Sequence, residues 1–467
     1  TAATSSSTAV RLSLSEKTTG QAHRDARRRA IESMNLTTYR MLSRCLPPAY
    51  QFYLWRLRRR NPAYRAGLQQ RWGDYRDQPP VPGAVWVHAA SVGEARAAQS
   101  LIDRLLEDGW PLFITTNTPT GLETIRSRYG ASVQSGYPPV DVPRAVDRFV
   151  EALSPRAAIF IELEIWPNRF AALAARGIPV ALINARLSSA SLARYERFGA
   201  LIRQSLHEIT CICAQTEEDA ERFHNMGVPN RKIHVTGNLK FDQAIDHKQI
   251  EAGQKLRSRI GSERPVWVAA SLRQGEADWI REAHDELLVA FPDAMLIVVP
   301  RHPERFRWPD GGAGEVRDRH IIKASQLGES SEPYQAAQVL LADTIGEMIK
   351  YLSAGDVAFV GGSLVPVGGH NPLEPAALGK PVLMGPHVTN FQQVDRLLES
   401  QRARIRVHDA GELAEALQRL VRDRHFLDAT GRSAEAVIQA HRGASARTRQ
   451  ILDETVLAAN AGSSLFE

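Results

Sequence analysis

Twice along this chain, short apolar runs alternate with longer segments of helical spacing, and that rhythm leaves few folds open. In the first half the runs are 85–88 (VWVH), 112–116 (LFITT), 157–161 (AAIFI), 179–183 (PVALI), 209–214 (ITCICA) and 233–236 (IHVT). In the second half they are 266–270 (VWVAA), 295–299 (MLIVV), 338–341 (QVLL), 357–360 (VAFV) and 381–384 (PVLM). Continuous apolar strands separated by helices belong to parallel sheets covered on both faces. At 467 residues the chain is also too long for one core. The expectation is an α/β protein of two doubly wound, Rossmann-like domains facing a central cleft, with ligands at the carboxyl ends of the strands. Its boundaries read as a disordered extension at 1–33, a first domain at 34–241, a polar linker at 242–263, a second domain at 264–430, and a C-terminal helix and tail at 431–467.

Composition narrows the partners. The extension is rich in Ser, Thr and Arg and has no apolar run. Nowhere does the sequence approach the roughly 18 apolar residues of a membrane-spanning helix. Three cysteines (Cys45, Cys211, Cys213) cannot build a disulfide framework; Cys211 and Cys213 read as lying on opposite faces of one strand. A net charge of +6 points to anionic partners. That charge is concentrated: Asn35 to Gly73 holds Arg40, Arg44, Arg56, Arg58, Arg59, Arg60, Arg65 and Arg71 and no acid. Within it, residues 46–60 (LPPAYQFYLWRLRRR) place Tyr50, Tyr53, Leu54 and Leu57 on one helical face and Arg56, Arg59 and Arg60 elsewhere. Such a helix suits a membrane interface, or docking on its own domain with a solvated basic face. Nucleic acid is not implied, because the aromatics form a helical stripe and no strand platform.

The motifs exclude several chemistries. Neither half carries G-x-G-x-x-G or G-x-x-x-x-G-K-[ST] after its first strand, which argues against a dinucleotide dehydrogenase and a P-loop ATPase. No H-E-x-x-H, paired C-x-x-C or calcium loop occurs, so no metal is implied. What remains is polar residues at strand ends. In 87–98 (VHAASVGEARAA) a strand hands over to a helix at Ser91-Val92-Gly93-Glu94. There Glu94 reads equally as the third residue of a capping box or as a general base. Glu162 and Glu164 end the strand in IFIELEIWPN, and Lys240 lies in TGNLKFD. In the second half Arg301 and His302 follow a strand directly, where they can neutralise an anion. Asp343-Thr344-Ile345-Gly346-Glu347-Met348 follows the next strand, offering Thr344, Gly346 and backbone groups to a nucleotide. The glycine-rich stretch 361–369 leads into Asn371-Pro372-Leu373-Glu374, read as cap, first turn and third helical position of a phosphate-binding helix start.

Taken together, HAASVGE, TTNTPTG, ELEIWPN, INARLS, VTGNLKFD, VPRHPERF and GGHNPLEPAALGKPVLMGPH resemble the bacterial Kdo (3-deoxy-D-manno-octulosonic acid) transferases, from about residue 34 to about 425. These are inverting glycosyltransferases of the two-domain GT-B type. The resemblance implies transfer of Kdo from CMP-Kdo to the lipid A precursor at the cytoplasmic face of the inner membrane, without a cofactor. It implies Glu94 as general base and Glu164 and Lys240 in transition-state stabilisation. It further implies a nucleotide site of Arg301, His302, Gly346, Glu347, Met348, Asn371, Pro372, Leu373 and Glu374. One stretch departs: the family usually reads Ser-Thr-His-Glu-Gly-Glu after the first strand of the second domain, and this chain has Ser271-Leu272-Arg273-Gln274-Gly275-Glu276. The rival readings are another GT-B enzyme, of heptosyltransferase or epimerase type, and a non-catalytic nucleotide-binding protein at the membrane.

Overall fold

The computed structural model describes residues 34–309, 321–328, 330 and 332–458; the extension expected to be disordered lies outside them. The chain forms two compact units, one of Thr1–Gln243 with Gly443–Glu467, the other of Ala244–Arg442. Unit 1 carries β1 (Val85–His88), β2 (Leu112–Thr115), β3 (Gln134–Gly136), β4 (Ala158–Ile161), β5 (Val180–Ala185), β6 (Cys211–Ala214) and β7 (Ile233–Val235), in the order β3-β2-β1-β4-β5-β6-β7. Unit 2 carries β8 (Val266–Leu272), β9 (Met295–Pro300), β10 (Ile321–Lys323), β11 (Val339–Leu341), β12 (Val357–Val360), β13 (Val382–Met384) and β14 (Arg404–Arg406), in the order β10-β11-β9-β8-β12-β13-β14. Every strand pairing is parallel.

Each sheet is buried on both faces, which is why its strands read as unbroken apolar runs. In unit 1, Trp86, Phe113, Phe149, Phe160 and Phe170 fill one face, and Val85, Val87, Ile114, Ile159 and Ile183 fill the other. Cys211 and Cys213 sit together in the second of these cores, a correction to the opposite-face reading: residues two apart on a strand share a face.

The expected boundaries shift. The supposed linker at 242–263 contains a helix, His247–Ile260, that belongs to unit 2. It packs through Leu256 and Ile260 and by close approach at Gly253, where a side chain would strike the Lys350 carbonyl. The helix Arg424–His441 straddles residue 430 and also belongs to unit 2. The chain then returns to unit 1, where Leu452, Val456 and Leu457 join the core containing Cys211 and Leu239. Asp242 anchors that return by accepting the Gly443 N–H at 2.7 Å.

In each unit the first strand lies inside the sheet, which grows from it in both directions. The topological switch points therefore lie between β1 and β4 and between β8 and β12, where open parallel sheets bind ligands outside the strand ends.

Candidate active site

At the switch point of unit 1, β1 runs into Ala89-Ala90-Ser91 and the helix Val92–Ala97. Ser91 caps that helix through the Glu94 N–H at 3.3 Å. The Glu94 carboxylate reaches back to accept the Ala90 N–H at 2.7 Å and the Ser91 hydroxyl at 3.0 Å. Glu94 is thus a capping residue in this structure, but its charge state is unusual for one. Partial burial, reinforced by the negative charges of Glu164 and Glu162, pushes its carboxyl up to about 7. A carboxylic acid poised near neutrality is suited to proton transfer.

Across the switch point β4 is followed by Glu162, whose backbone is left-handed (φ +62°), a strain that non-glycine residues rarely bear. Its carboxylate pairs with Lys240 Nζ at 3.1 Å. Lys240 is itself held by a short turn: Asn184 Oδ1 accepts the Leu239 N–H and Asn238 Oδ1 accepts the Lys240 N–H, each at 3.0 Å. Glu164 accepts from the Trp166 indole at 2.7 Å and faces His88 Nε2 at 3.2 Å.

His88 is wholly buried, and desolvation pushes its pKa down despite the neighbouring carboxylate, so it is neutral. An ionised Glu164 can only accept, which puts the His88 proton on Nε2 and leaves Nδ1 to accept from the Thr115 hydroxyl at 2.9 Å. These donors, outweighing burial, hold Glu164 below the usual carboxylate range. Arg169 lies over the Trp166 ring and brings Nη1 to 3.4 Å from His88 Nε2. The structure therefore brings Glu94 and Glu164 into one electrostatic neighbourhood, and it gives Lys240 to Glu162. Glu162, flagged only as a strand-end acid, belongs in the site on this geometry.

In unit 2 the strand ends at the β8/β12 switch point are tied by one residue. Glu276, fully buried, accepts the N–H groups of Gly362 (2.7 Å), Ser363 (3.0 Å), Leu364 (3.0 Å) and Arg273 (3.1 Å). Ser271 before it has φ +55°, and at Gly362, with φ +70°, a Cβ would come within 2.9 Å of the His370 ring and force it to shift. Arg301 and His302 are exposed at the end of β9, drawn beside β8 by the Arg301 N–H to Leu272 carbonyl bond at 2.9 Å. Gly346 turns at φ +85°, and Glu347 precedes the helix Met348–Ala354, bonded to Lys350 at 2.8 Å and Tyr351 at 3.2 Å.

The expected helix start at Asn371 is corrected. The helix is Leu373–Ala377, only five residues, with Pro372 at the cap position. Asn371 Oδ1 itself takes the Leu373 N–H at 3.1 Å, so that donor is occupied. Glu374 accepts from Asn371 Nδ2 at 3.3 Å. Sequence reading passed over His370 and Glu276 as candidates. Among the described residues no group of three His, Cys, Asp or Glu side chains could hold a metal ion.

Two Rossmann-like units, each with polar groups at its switch point, are the architecture of the GT-B fold. The structure of UDP-GlcNAc 2-epimerase from Neisseria meningitidis shares this fold, at a TM-score of 0.51 over 81% of this chain and 100% of that one, with 14% identity. Residues 66–243 match the family model described as 3-deoxy-D-manno-octulosonic-acid transferase (kdotransferase). The chain is 36% identical over 432 residues to the 3-deoxy-D-manno-octulosonic acid transferase of Bordetella pertussis, covering 90% of this chain and 99% of that protein. With the enzyme of the same name from Haemophilus influenzae it shares 35% identity over 397 residues, covering 84% and 92%. The chain belongs to the Kdo transferase family, a family of glycosyltransferases, and the heptosyltransferase, epimerase and non-catalytic readings are set aside.

Proposed function

We propose that this chain transfers Kdo from CMP-Kdo to the lipid A precursor with inversion, Glu94 acting as general base. Glu94 takes the proton of the attacking acceptor hydroxyl as its oxygen bonds to the anomeric carbon of Kdo. The bond from that carbon to phosphate breaks, and CMP leaves with the electron pair. Glu164, kept ionised by His88 and Trp166, and Lys240, oriented by Glu162, stabilise charge developing at the reacting sugar. In unit 2, Arg301 and His302 neutralise the leaving phosphate, and Gly346, Glu347, Met348 and Asn371 to Glu374 form the remainder of the nucleotide site. No metal or cofactor has a step in this scheme.

The observation that carries this reading is the split among three acids at one switch point. Glu94 is raised to about 7, Glu164 is held below its ordinary range, and Glu162 is paired with Lys240. Environments that drive neighbouring carboxyls apart assign them different roles.

A lipid acceptor is supported by the surface of the N-terminal helices. Met41, Leu42, Leu46, Phe52, Tyr53 and Trp55 are all exposed, Phe52 at 58% and Tyr53 at 54%. Only Leu54 of the helix Pro47–Arg60 is buried, so the expected stripe of Tyr50, Tyr53, Leu54 and Leu57 does not face inward as a unit. Aromatic side chains turned outward beside Arg56, Arg59 and Arg60 suit peripheral binding to the anionic cytoplasmic face of the inner membrane. No helix among the described residues is long and apolar enough to cross a membrane.

The test is incubation of the full chain with CMP-Kdo and the lipid A precursor, read by product mass. Addition of Kdo to the lipid is expected. No added mass, with CMP bound, would remove the acceptor assignment.

A further inference from the structure

We propose that Arg273 is a donor-recognition residue of this chain, its guanidinium gripping an oxyanion of the sugar donor, a phosphate or a carboxylate, beside the end of β8. This rests on unit 2 being the donor site.

Arg273 follows the last residue of β8 directly, at the β8/β12 switch point. Its backbone N–H is fixed by buried Glu276, the same carboxylate that fixes Gly362, Ser363 and Leu364. Its side chain is fixed as well, Nε donating to His370 Nε2 at 3.1 Å. His370 is clamped in turn: its N–H bonds the Gly361 carbonyl at 3.1 Å, and its ring lies against Gly362. Burial and the charges of Arg273, Arg301 and His302 push His370 down to about 4, so it is neutral and able to accept.

The consequence is an oriented fork. Nε is used, and among the described residues neither Nη group meets a protein acceptor, while the carboxylate nearest in sequence, Glu276, is occupied by backbone N–H groups. The Arg273 guanidinium is half-buried, and its charge and that of Arg301 both act on His370. A planar fork with two free amino groups matches phosphate and carboxylate bidentately, which neither a His nor a Lys can do.

The experiment compares the full wild-type chain with Arg273→Lys and Arg273→Ala. Titration calorimetry gives the affinities for cytidine and for CMP, and transfer kinetics give KM for CMP-Kdo. If Arg273 holds the phosphate, CMP affinity falls ~10-fold or more, about 1.4 kcal/mol, with cytidine affinity kept. If it holds the sugar carboxylate, CMP affinity is kept and KM for CMP-Kdo rises by about the same factor. Either result supports the proposal, provided Lys restores only part of the loss. CMP affinity and KM both within about twofold of wild type would overturn it, as would loss of cytidine binding in Arg273→Lys, which marks a structural role. If the wild type itself binds no CMP, the donor-site reading falls with it.

Discussion

Three carboxylates gather at one end of the unit 1 sheet, and a different partner fixes the state of each. Glu94 is the one left near its titration point, raised by burial and by the two others. A base must be ionised to act, so kcat should rise with pH through about 7 and then level, provided chemistry limits turnover. The same shift has an opposite consequence for stability. An acid whose folded pKa lies above its unfolded value costs stability as pH rises from about 4.5 through about 7. Glu94→Gln should therefore be more heat-stable than wild type at pH 8, by on the order of 2 kcal/mol, with the gain shrinking towards pH 5. Differential calorimetry at the two pH values checks this, and no gain at pH 8 would contradict the buried-acid description. Sequence alone left Glu94 suspended between cap and base because a Ser at the cap with a Glu three residues on fits both readings. The partner of Lys240 was equally illegible, since Glu162 meets it only once the turn at Asn238 is folded.

Among the elements, strands that lie inside the sheets were plain in the sequence, as was the edge strand β7, whereas the edges β3, β10 and β14 were not. β3 (QSG) and β14 (RIR) are short and polar because an edge has neighbours on one side only, and β10 lies beside them in brevity. The helix His247–Ile260 passed for a linker because it buries only Gly253, Leu256 and Ile260. The loop 361–369 was legible as a glycine-rich turn, but its anchor was not, because Glu276 lies 86 residues from Gly362 in sequence. Removing that anchor by Glu276→Ala leaves four backbone N–H groups without their acceptor. We expect a loss of ~3 kcal/mol or more, seen as a lower Tm, and weakened CMP binding. An unchanged Tm would mean that the loop holds its shape by other contacts.

At the scale of the molecule, one unit supplies the proposed base and the other the proposed donor site, and exposed aromatics with arginines form the proposed contact with a lipid surface. Arg56, Arg59 and Arg60 changed together to Glu should release the chain from vesicles containing anionic lipid in a sedimentation assay, while leaving CMP affinity intact. Vesicle binding that survives would remove these residues from the interface. The alternation of strand and helix made both units readable from sequence, whereas the places where the chain crosses, near Gln243 and Gly443, emerge only with the anchoring of Gly443 on Asp242. The most direct test of the whole account is the single-turnover rate of Kdo transfer by Glu94→Gln at pH 8 with saturating CMP-Kdo. The account predicts a rate ~10²-fold or more below wild type with CMP affinity unchanged; transfer at the wild-type rate would contradict it.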